Sequence, residues 1–126
     1  MKTVSLIFML TLLISSCTAQ NTEHYKVLNT KEYQQVLTKN KSIQLVDVRT
    51  PEEFAEGHLE NAVNININSS NFAKQVEKLD KSKPVYIYCR SGGRSRTAGA
   101  TLEKMGFKEI YDLKGGILYW DGKIVK

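Results

Sequence analysis

The chain has 126 residues, with 18 Lys or Arg against 13 Asp or Glu, and therefore a formal net charge of +5. This length fits a single domain, and 41% hydrophobic with 25% charged residues excludes disordered and collagen-like chains. Two cysteines exclude a disulfide-dense scaffold and a four-cysteine zinc site, and positive charge that is mostly scattered lysine argues against a nucleic-acid interface.

The N-terminus is typical of an export signal. After the basic residue Lys2, residues 4–14 form an apolar run that is too short to span a bilayer but suits a signal peptide. The following segment Ile14-Ser15-Ser16-Cys17 resembles the bacterial lipobox, in which cleavage occurs before a cysteine that carries lipid. We therefore expect residues 1–16 to be removed and a lipidated Cys17 to anchor the protein to a bacterial membrane, facing the periplasm. An ordinary secretory signal, which would give a soluble secreted protein, is the alternative.

The rest of the chain divides into a tether and one domain. Residues 17–23 begin with the lipidated cysteine and continue as a polar segment without apolar periodicity, which predicts a flexible tether. Residues 24–126 contain no internal repeat and no second linker, so we expect one domain. If lipid consumes the sulfur of Cys17, Cys89 is the one free thiol of the mature chain.

Strand and helix patterns alternate along the domain. In chain order, the sequence predicts a helix over 31–38, a strand over 42–48, a helix that opens at Pro51 behind the N-cap Thr50, a strand over 63–67, a helical stripe over 72–79, a strand over 85–88, a helical stripe over 98–105 ended by Gly106, and a short strand over 109–111. This alternation predicts an α/β fold with a central, mostly parallel sheet of about five strands and helices on both faces.

The segment Cys89–Ser95 carries the strongest chemical pattern. It directly follows a predicted buried strand and precedes a helix, which is where open α/β sheets bind ligands. Gly92 and Gly93 allow positive φ angles that turn backbone N–H groups inward, and the helix N-terminus adds partial positive charge. Arg90 and Arg94 add two permanent charges. The pattern predicts an anion-binding loop with a sulfur nucleophile at its base. The positive electrostatic field of this loop favours the thiolate form of Cys89.

Three separated motifs resemble those of the single-domain rhodaneses, a family of sulfurtransferases. They are Leu45–Arg49 followed by Glu52–Leu59, the loop Cys89–Arg94, and Leu113–Gly116 with Trp120. The resemblance runs from about Tyr25 to Trp120, which is nearly the whole mature chain.

One turn departs from the family pattern. Many relatives carry Pro-Gly-Ala between the positions of His58 and Val63, whereas this chain has Glu60-Asn61-Ala62. We expect this difference to alter a turn and to affect no catalytic residue.

The resemblance implies a rhodanese-like fold and a two-step sulfur transfer. Cys89 would attack the outer sulfur of a donor such as thiosulfate, release sulfite and hold a persulfide, which cyanide or a thiol would then discharge. Arg90 and Arg94 would attract and orient the anionic donor, and Ser91 and Ser95 would donate hydrogen bonds to it. The loop N–H groups, including those of Gly92 and Gly93, would stabilise the persulfide.

Two other functions are compatible with a cysteine in such a loop. A persulfide carrier or sulfur-relay module would use Cys89 to deliver sulfur to a partner protein with little turnover on thiosulfate. A cysteine phosphatase or arsenate reductase uses a Cys-x₅-Arg loop, which would place arginine at position 95. Here that position is Ser95, the arginine is Arg94, and Tyr88 stands where phosphatases usually carry histidine. The phosphatase reading is therefore the least favoured.

Four polar residues outside the loop are expected to support it. Arg49 and Glu53 lie around a helix start, where a pair between them would fix the loop, and Asp47 at a strand end would cap backbone N–H groups. His58 is expected to be a hydrogen-bonding loop residue rather than a catalyst. No His, Asp, Glu or Cys spacing suggests a metal, and no cofactor is expected.

The expected partners follow from the chemistry. They are a small sulfur-containing anion as donor, an external thiol or protein as acceptor, and a membrane through the N-terminal lipid, with no nucleic acid. A domain of this size is expected to be monomeric. Whether Arg96 and Trp120 line the pocket is left open by the sequence, although Trp120 is typical of core closure.

Overall fold

A computed structural model describes residues 21–40 and 42–126, so the predicted signal peptide and Cys17 lie outside the described residues. The elements are β1 (Tyr25–Leu28), α1 (Thr30–Lys39), β2 (Gln44–Asp47), α2 (Pro51–Glu56), β3 (His58–Leu59), β4 (Val63–Asn64), α3 (Phe72–Val76), β5 (Val85–Tyr88), α4 (Gly93–Lys104), β6 (Ile110–Leu113), a 3₁₀ turn (Gly116–Tyr119) and β7 (Ile124–Val125). In this part of the chain, no helix has the length and apolar character needed to cross a membrane.

Five strands form one parallel sheet in the order β1-β6-β5-β2-β4. The α/β class and the five-stranded parallel sheet are thus confirmed. Strand β1 was not expected, because Lys26 interrupts its short apolar pattern and it pairs on one side only, with β6. An edge strand needs less continuous hydrophobicity than the fully buried strand β5, so its sequence signal is weaker.

The strand predicted over 63–67 is only partly regular. Its ladder with β2 covers Val63 and Asn64, although the N–H of Ile65 still donates to the Asp47 carbonyl oxygen at 2.9 Å. Val63 is 58% exposed because it lies on the free edge of the sheet, whereas Ile65 is buried. The alternating pattern therefore predicted the path of the chain but overestimated the length of the strand.

The sequence did not predict a second sheet, which has two strands. Strands β3 and β7 are antiparallel, with two residues each, and segments this short carry no readable periodicity. Between β3 and β4 the turn that departs from the family pattern keeps a left-handed residue, because Asn61 has a φ of +68°. Asparagine tolerates this conformation better than most side chains, so the turn closes without glycine.

Two apolar clusters lie on the opposite faces of the sheet, as alternating strand residues require. One is built from β2, β5 and β6 residues under α3 and α4, and includes Val76 and Leu102. The other lies under α1 and includes Tyr33 and Tyr88. Trp120 packs on this second cluster, its ring centroid 6.2 Å from that of Tyr33, so it closes the core on the α1 face. The expected helices on both faces are confirmed.

Candidate active site

Cys89 lies directly after β5, at the carboxyl edge of the sheet, and only 1% of its surface is exposed. Four buried residues of β5 hold the preceding backbone, and α4 begins at Gly93, four residues after the cysteine. This is the edge at which parallel sheets bind ligands. The loop between the two elements therefore encloses the sulfur at the start of a twelve-residue helix.

The sulfur atom accepts one hydrogen bond within its own loop and donates another. The N–H of Gly92 points at Sγ of Cys89, with an N–S distance of 3.0 Å, and Oγ of Ser95 lies 3.4 Å from the same sulfur. Gly92 has a φ of +110°, which a side chain would strongly disfavour, whereas Gly93 is already the first helical residue. Positive φ was expected of both glycines, but only Gly92 needs it.

A 3₁₀ turn fastens the outer side of the loop. Carbonyl oxygens of Cys89 and Arg90 accept hydrogen bonds from the N–H groups of Ile117 at 2.9 Å and Leu118 at 3.2 Å. Gly116 makes this contact possible, since a Cβ there would lie 2.3 Å from the carbonyl oxygen of Arg90. The 3₁₀ turn that begins at Gly116 thus holds the cysteine loop in place, and we call this contact the clamp.

Arg94 does not project freely into the site. Its terminal nitrogens bind the two carboxylate oxygens of Glu53 at 2.6 and 2.9 Å. The hydrogen bonds from Arg94 lower the pKa of Glu53 to about 2. Arg94 was expected to orient the donor, and Glu53 was expected to pair with Arg49. The observed pair instead ties α2 to the first turn of α4.

Arg49 forms a separate buried pair with Asp47. The two side chains meet at 2.7 to 3.0 Å, and Asp47 also accepts a hydrogen bond from the backbone N–H of Arg49 at 2.9 Å. Arg49 then donates to the carbonyl oxygen of Gly57 at 2.7 Å. Asp47 thus caps the backbone as expected, and the predicted Arg49–Glu53 pair is wrong because each residue has another partner.

His58 is a structural loop residue in this arrangement. Its Nδ1 donates to the carbonyl oxygen of Phe54 at 2.9 Å, and the two rings stack with centroids 3.7 Å apart. Tyr88, the residue before the cysteine, accepts a hydrogen bond from the N–H of Leu59 at 3.0 Å. The first contact fixes the turn between α2 and β3, and the second holds β3 against β5 of the sheet.

The remaining loop side chains divide between the rim and the interior. Within the loop, Arg90 and Ser91 are exposed, and Arg96 is exposed on α4. Ser95 is fully buried, and its hydroxyl lies between the sulfur and the carbonyl oxygen of Gly92, which it approaches to 3.2 Å. Ser95 was expected to bond the donor, but its hydroxyl is buried and is engaged with the sulfur and the Gly92 carbonyl oxygen.

Sequence reasoning missed a buried acidic residue behind the loop. Asp112 in β6 is 2% exposed and accepts a hydrogen bond from the hydroxyl of Tyr25 in β1. Within residues 21–40 and 42–126, its other oxygen, Oδ1, is buried without a hydrogen-bond partner. Burial raises the pKa of Asp112 to about 6. An acidic residue inside the short apolar strand Ile110–Leu113 was the available signal.

The arrangement suits anionic sulfur chemistry. A nearly enclosed thiol, an inward N–H group, a helix N-terminus and the rim cation Arg90 together favour an anion at the cysteine. Among the residues that the structure describes, no cluster of three or more His, Cys, Asp or Glu side chains is placed to bind a metal ion.

Comparisons with known proteins agree with this geometry. Residues 29–123 match the Rhodanese-like domain family. The chain is 47% identical over 81 residues to the uncharacterized protein YqhL of Bacillus subtilis, covering 64% of this chain and 63% of YqhL. It is 37% identical over 84 residues to the thiosulfate sulfurtransferase GlpE of Coxiella burnetii, covering 67% of this chain and 77% of GlpE. The chain thus spans less than two thirds of the length of YqhL.

A solved structure shows the same architecture. The crystal structure of a rhodanese-like domain protein from Staphylococcus aureus superimposes with a TM-score of 0.69 at 32% identity. The match covers 78% of this chain and 93% of the S. aureus protein. The overall fold is therefore shared with a solved relative.

Proposed function

Because this chain belongs to the rhodanese-like family, we propose that it is a sulfurtransferase that carries sulfane sulfur as a persulfide on Cys89. The observation that carries the proposal is the N–H of Gly92, which points at Sγ from 3.0 Å. The thiolate carries its negative charge on this sulfur, so an N–H donor held by the loop stabilises the nucleophile that takes up the outer sulfur. Thiosulfate is the donor that the charge of the site and the name of the C. burnetii relative suggest.

The proposed cycle has two displacements at sulfur. In the first, the Cys89 thiolate attacks the outer sulfur of thiosulfate, a new S–S bond forms, and the old bond breaks with its electron pair leaving on sulfite. In the second, an acceptor thiolate or cyanide attacks the outer sulfur of the persulfide, and the Cys89 thiolate leaves. The acceptor must come from outside, since the described residues contain no second cysteine to resolve the persulfide.

Donor attraction in this proposal rests mainly on Arg90 and the start of α4. Arg90 is exposed at the rim, while Arg94 shares its charge with Glu53. Ser91 is exposed beside Arg90 and is placed to hydrogen-bond a donor at the entrance. Arg94 acts by holding the first turn of α4 in position for the loop.

Steady-state kinetics test this cycle. If sulfur is held on the protein between the two half-reactions, double-reciprocal plots against thiosulfate at several cyanide concentrations are parallel. Intersecting lines would show that donor and acceptor bind together, which contradicts a free persulfide intermediate. The Cys89→Ser variant, tested in parallel, sets the background.

A persulfide carrier is the second candidate, and one feature of the rim favours it. Leu118 and Tyr119 are 57% and 72% exposed, and they belong to the 3₁₀ turn that clamps the cysteine loop. Apolar side chains this exposed beside a reactive sulfur suit contact with a protein acceptor better than with cyanide. Replacing both with serine is expected to slow transfer to a protein thiol and to leave cyanide turnover unchanged if the carrier function holds. The double variant Val63→Ser and Ile124→Ser, exposed on strands β4 and β7, is the matched control.

We also propose that Cys17 carries a lipid anchor, so that the domain works at a bacterial membrane facing the periplasm. The support is the apolar run over 4–14 followed by the lipobox-like residues 14–17. Cys17→Ser is expected to move the protein from the membrane fraction to the soluble fraction, whereas Ser16→Ala is not. Equal membrane association of wild type and Cys17→Ser would contradict this anchor.

A further inference from the structure

Glu53 neutralises an arginine at the start of the helix that follows the cysteine loop. Its two carboxylate oxygens accept hydrogen bonds from the two terminal nitrogens of Arg94 at 2.6 and 2.9 Å. One of these oxygens also accepts a hydrogen bond from the hydroxyl of Thr50 at 3.1 Å, and the N–H of Glu53 donates to the same hydroxyl at 3.3 Å. Thr50 therefore helps to hold the carboxylate where Arg94 binds it. The proposed sulfur transfer assigns this carboxylate no step.

Arg94 lies close to the reactive sulfur. It is the second residue of α4 and directly precedes Ser95, whose hydroxyl is 3.4 Å from Sγ of Cys89. The hydrogen bonds with Glu53 raise the pKa of Arg94, and the nearby Cys89 raises it further. The side chains of Arg94 and Glu53 are 29% and 27% exposed. An anion that approaches the loop from solvent therefore experiences the charge of the pair rather than that of Arg94 alone.

The ion pair changes how much positive charge the site offers to a donor. Of the three arginines in residues 90–96, Arg90 and Arg96 are exposed, and Arg94 is the one that forms an ion pair in the described part of the chain. A paired arginine and carboxylate carry no net charge, so the pair removes one positive charge from the attraction of an anion. Because this attraction is proportional to the charge of the anion, a doubly charged donor loses twice as much of it as a singly charged donor.

Resting on the sulfurtransferase function proposed above, we propose that Glu53 is a specificity-determining residue, which neutralises Arg94 and thereby favours sulfane-sulfur donors with a single negative charge over the doubly charged thiosulfate ion. Thiosulfate still loads Cys89, because Arg90 remains available at the rim. A singly charged donor reacts by the same step: the Cys89 thiolate attacks its outer sulfur, a new S–S bond forms, and the leaving group departs with the electron pair of the old bond. Glu53 acts through Arg94 and takes no part in the bonds that form or break.

Two donors that differ by one charge test this role. Methanethiosulfonate carries one negative charge and releases methanesulfinate, whereas thiosulfate carries two and releases sulfite. The measurement is kcat/KM for each donor, with cyanide as the acceptor. Glu53→Gln should raise kcat/KM for thiosulfate roughly two- to fivefold, and that for methanethiosulfonate by about the square root of the same factor, because the added attraction scales with donor charge. The ratio of kcat/KM for methanethiosulfonate to kcat/KM for thiosulfate, the donor ratio, therefore falls.

Further variants separate the effect of charge from an effect on structure, because a variant that merely disorders the loop lowers kcat/KM for both donors by the same factor. Arg94→Ala leaves an unpaired carboxylate and should raise the donor ratio. Arg94→Ala combined with Glu53→Gln has the same net charge as the pair, so the donor ratio should return to the wild-type value. Glu52→Gln, on the exposed face of the same helix, is the matched control and should leave the donor ratio unchanged.

Persulfide on Cys89, measured by mass spectrometry after incubation with each donor, separates the two proposals. Persulfide formation together with an equal donor ratio in wild type and Glu53→Gln would overturn the role of Glu53 and leave the sulfurtransferase intact. Absence of persulfide with both donors would overturn the sulfurtransferase and, with it, this selectivity.

Discussion

Glu53 and Arg94 form a two-point ion pair, with oxygen–nitrogen distances of 2.6 and 2.9 Å, between the first turns of α2 and α4. The same Glu53 accepts a hydrogen bond from the hydroxyl of the N-cap residue Thr50 at 3.1 Å. Two helix starts are thereby joined beside the cysteine loop. Arg94, which the loop pattern predicted to bind the donor, is therefore paired with the structural carboxylate of Glu53.

Glu53→Gln is expected to improve thiosulfate binding. Glutamine keeps the shape of the side chain but removes the negative charge, so Arg94 offers its full charge to an anionic donor. The expected fall in KM is roughly two- to fivefold, in line with the modest energies of partly exposed ion pairs. Glu52→Gln, on the exposed face of the same helix, should leave KM unchanged. A rise in KM for Glu53→Gln would show that the pair orders the site more than it competes with the donor.

Arg94→Ala is expected to raise KM for thiosulfate. This substitution removes the cation and leaves the carboxylate of Glu53 unpaired beside the loop, so an anionic donor meets repulsion. The double variant Arg94→Ala with Glu53→Gln should recover part of the loss. Steady-state kinetics on thiosulfate measure both effects, and a double variant no better than Arg94→Ala would exclude the charge explanation.

Cys89→Ser is expected to abolish sulfur transfer while the protein stays folded. Serine has nearly the same shape as cysteine and fits the buried position, but its oxygen cannot form a persulfide. Activity on thiosulfate with cyanide should fall to background, while thermal unfolding should change by a few degrees at most. Residual activity well above background would place the nucleophile elsewhere.

Gly116→Ala is expected to damage the loop. A Cβ would lie 2.3 Å from the carbonyl oxygen of Arg90, and the φ of +65° is unfavourable for alanine, so the clamp must move. We expect a destabilisation of about 1–3 kcal/mol in urea unfolding and a loss of most activity. Gly93→Ala is the matched control, because a Cβ there meets nothing within 4 Å. Equal activity of the two variants would show that the clamp has no role in catalysis.

The pH dependence of stability should report on Asp112. Its folded pKa of about 6 is above the ordinary value of 3.8, so its ionisation is disfavoured in the folded protein. The free energy of unfolding is therefore highest below about pH 4, where Asp112 is protonated in both states. It falls by about 3 kcal/mol as the pH rises to about 6 and Asp112 ionises in the folded protein. Asp112→Asn should therefore gain stability relative to wild type between about pH 4 and pH 7. A difference that stays constant over this range in urea unfolding would contradict the raised pKa.

Local signals predicted the framework of the site well. The α2 start is an example: Pro51 opens the helix, and the hydroxyl of Thr50 accepts the N–H of Glu53 at 3.3 Å, as the capping pattern indicated. The position of Cys89 between strand and helix followed from the same kind of reasoning. These features depend on residues that are close in sequence.

Partners far apart in sequence could not be predicted. Glu53 and Arg94 are separated by 41 positions, and the order of strands β2 and β5 in the sheet decides that they meet. The hydrogen-bond partner of Asp112, Tyr25, comes from the edge strand β1, which carries little pattern of its own. Side-chain pairing in the site is thus a property of the sheet order.

Mass spectrometry of the protein after incubation with thiosulfate is the decisive test for a persulfide on Cys89. We expect a gain of one sulfur atom on the peptide that contains Cys89, removed again by cyanide and absent in Cys89→Ser. Absence of any adduct on Cys89, together with hydrolysis of an aryl phosphate by wild type, would contradict the sulfurtransferase and favour a cysteine phosphatase.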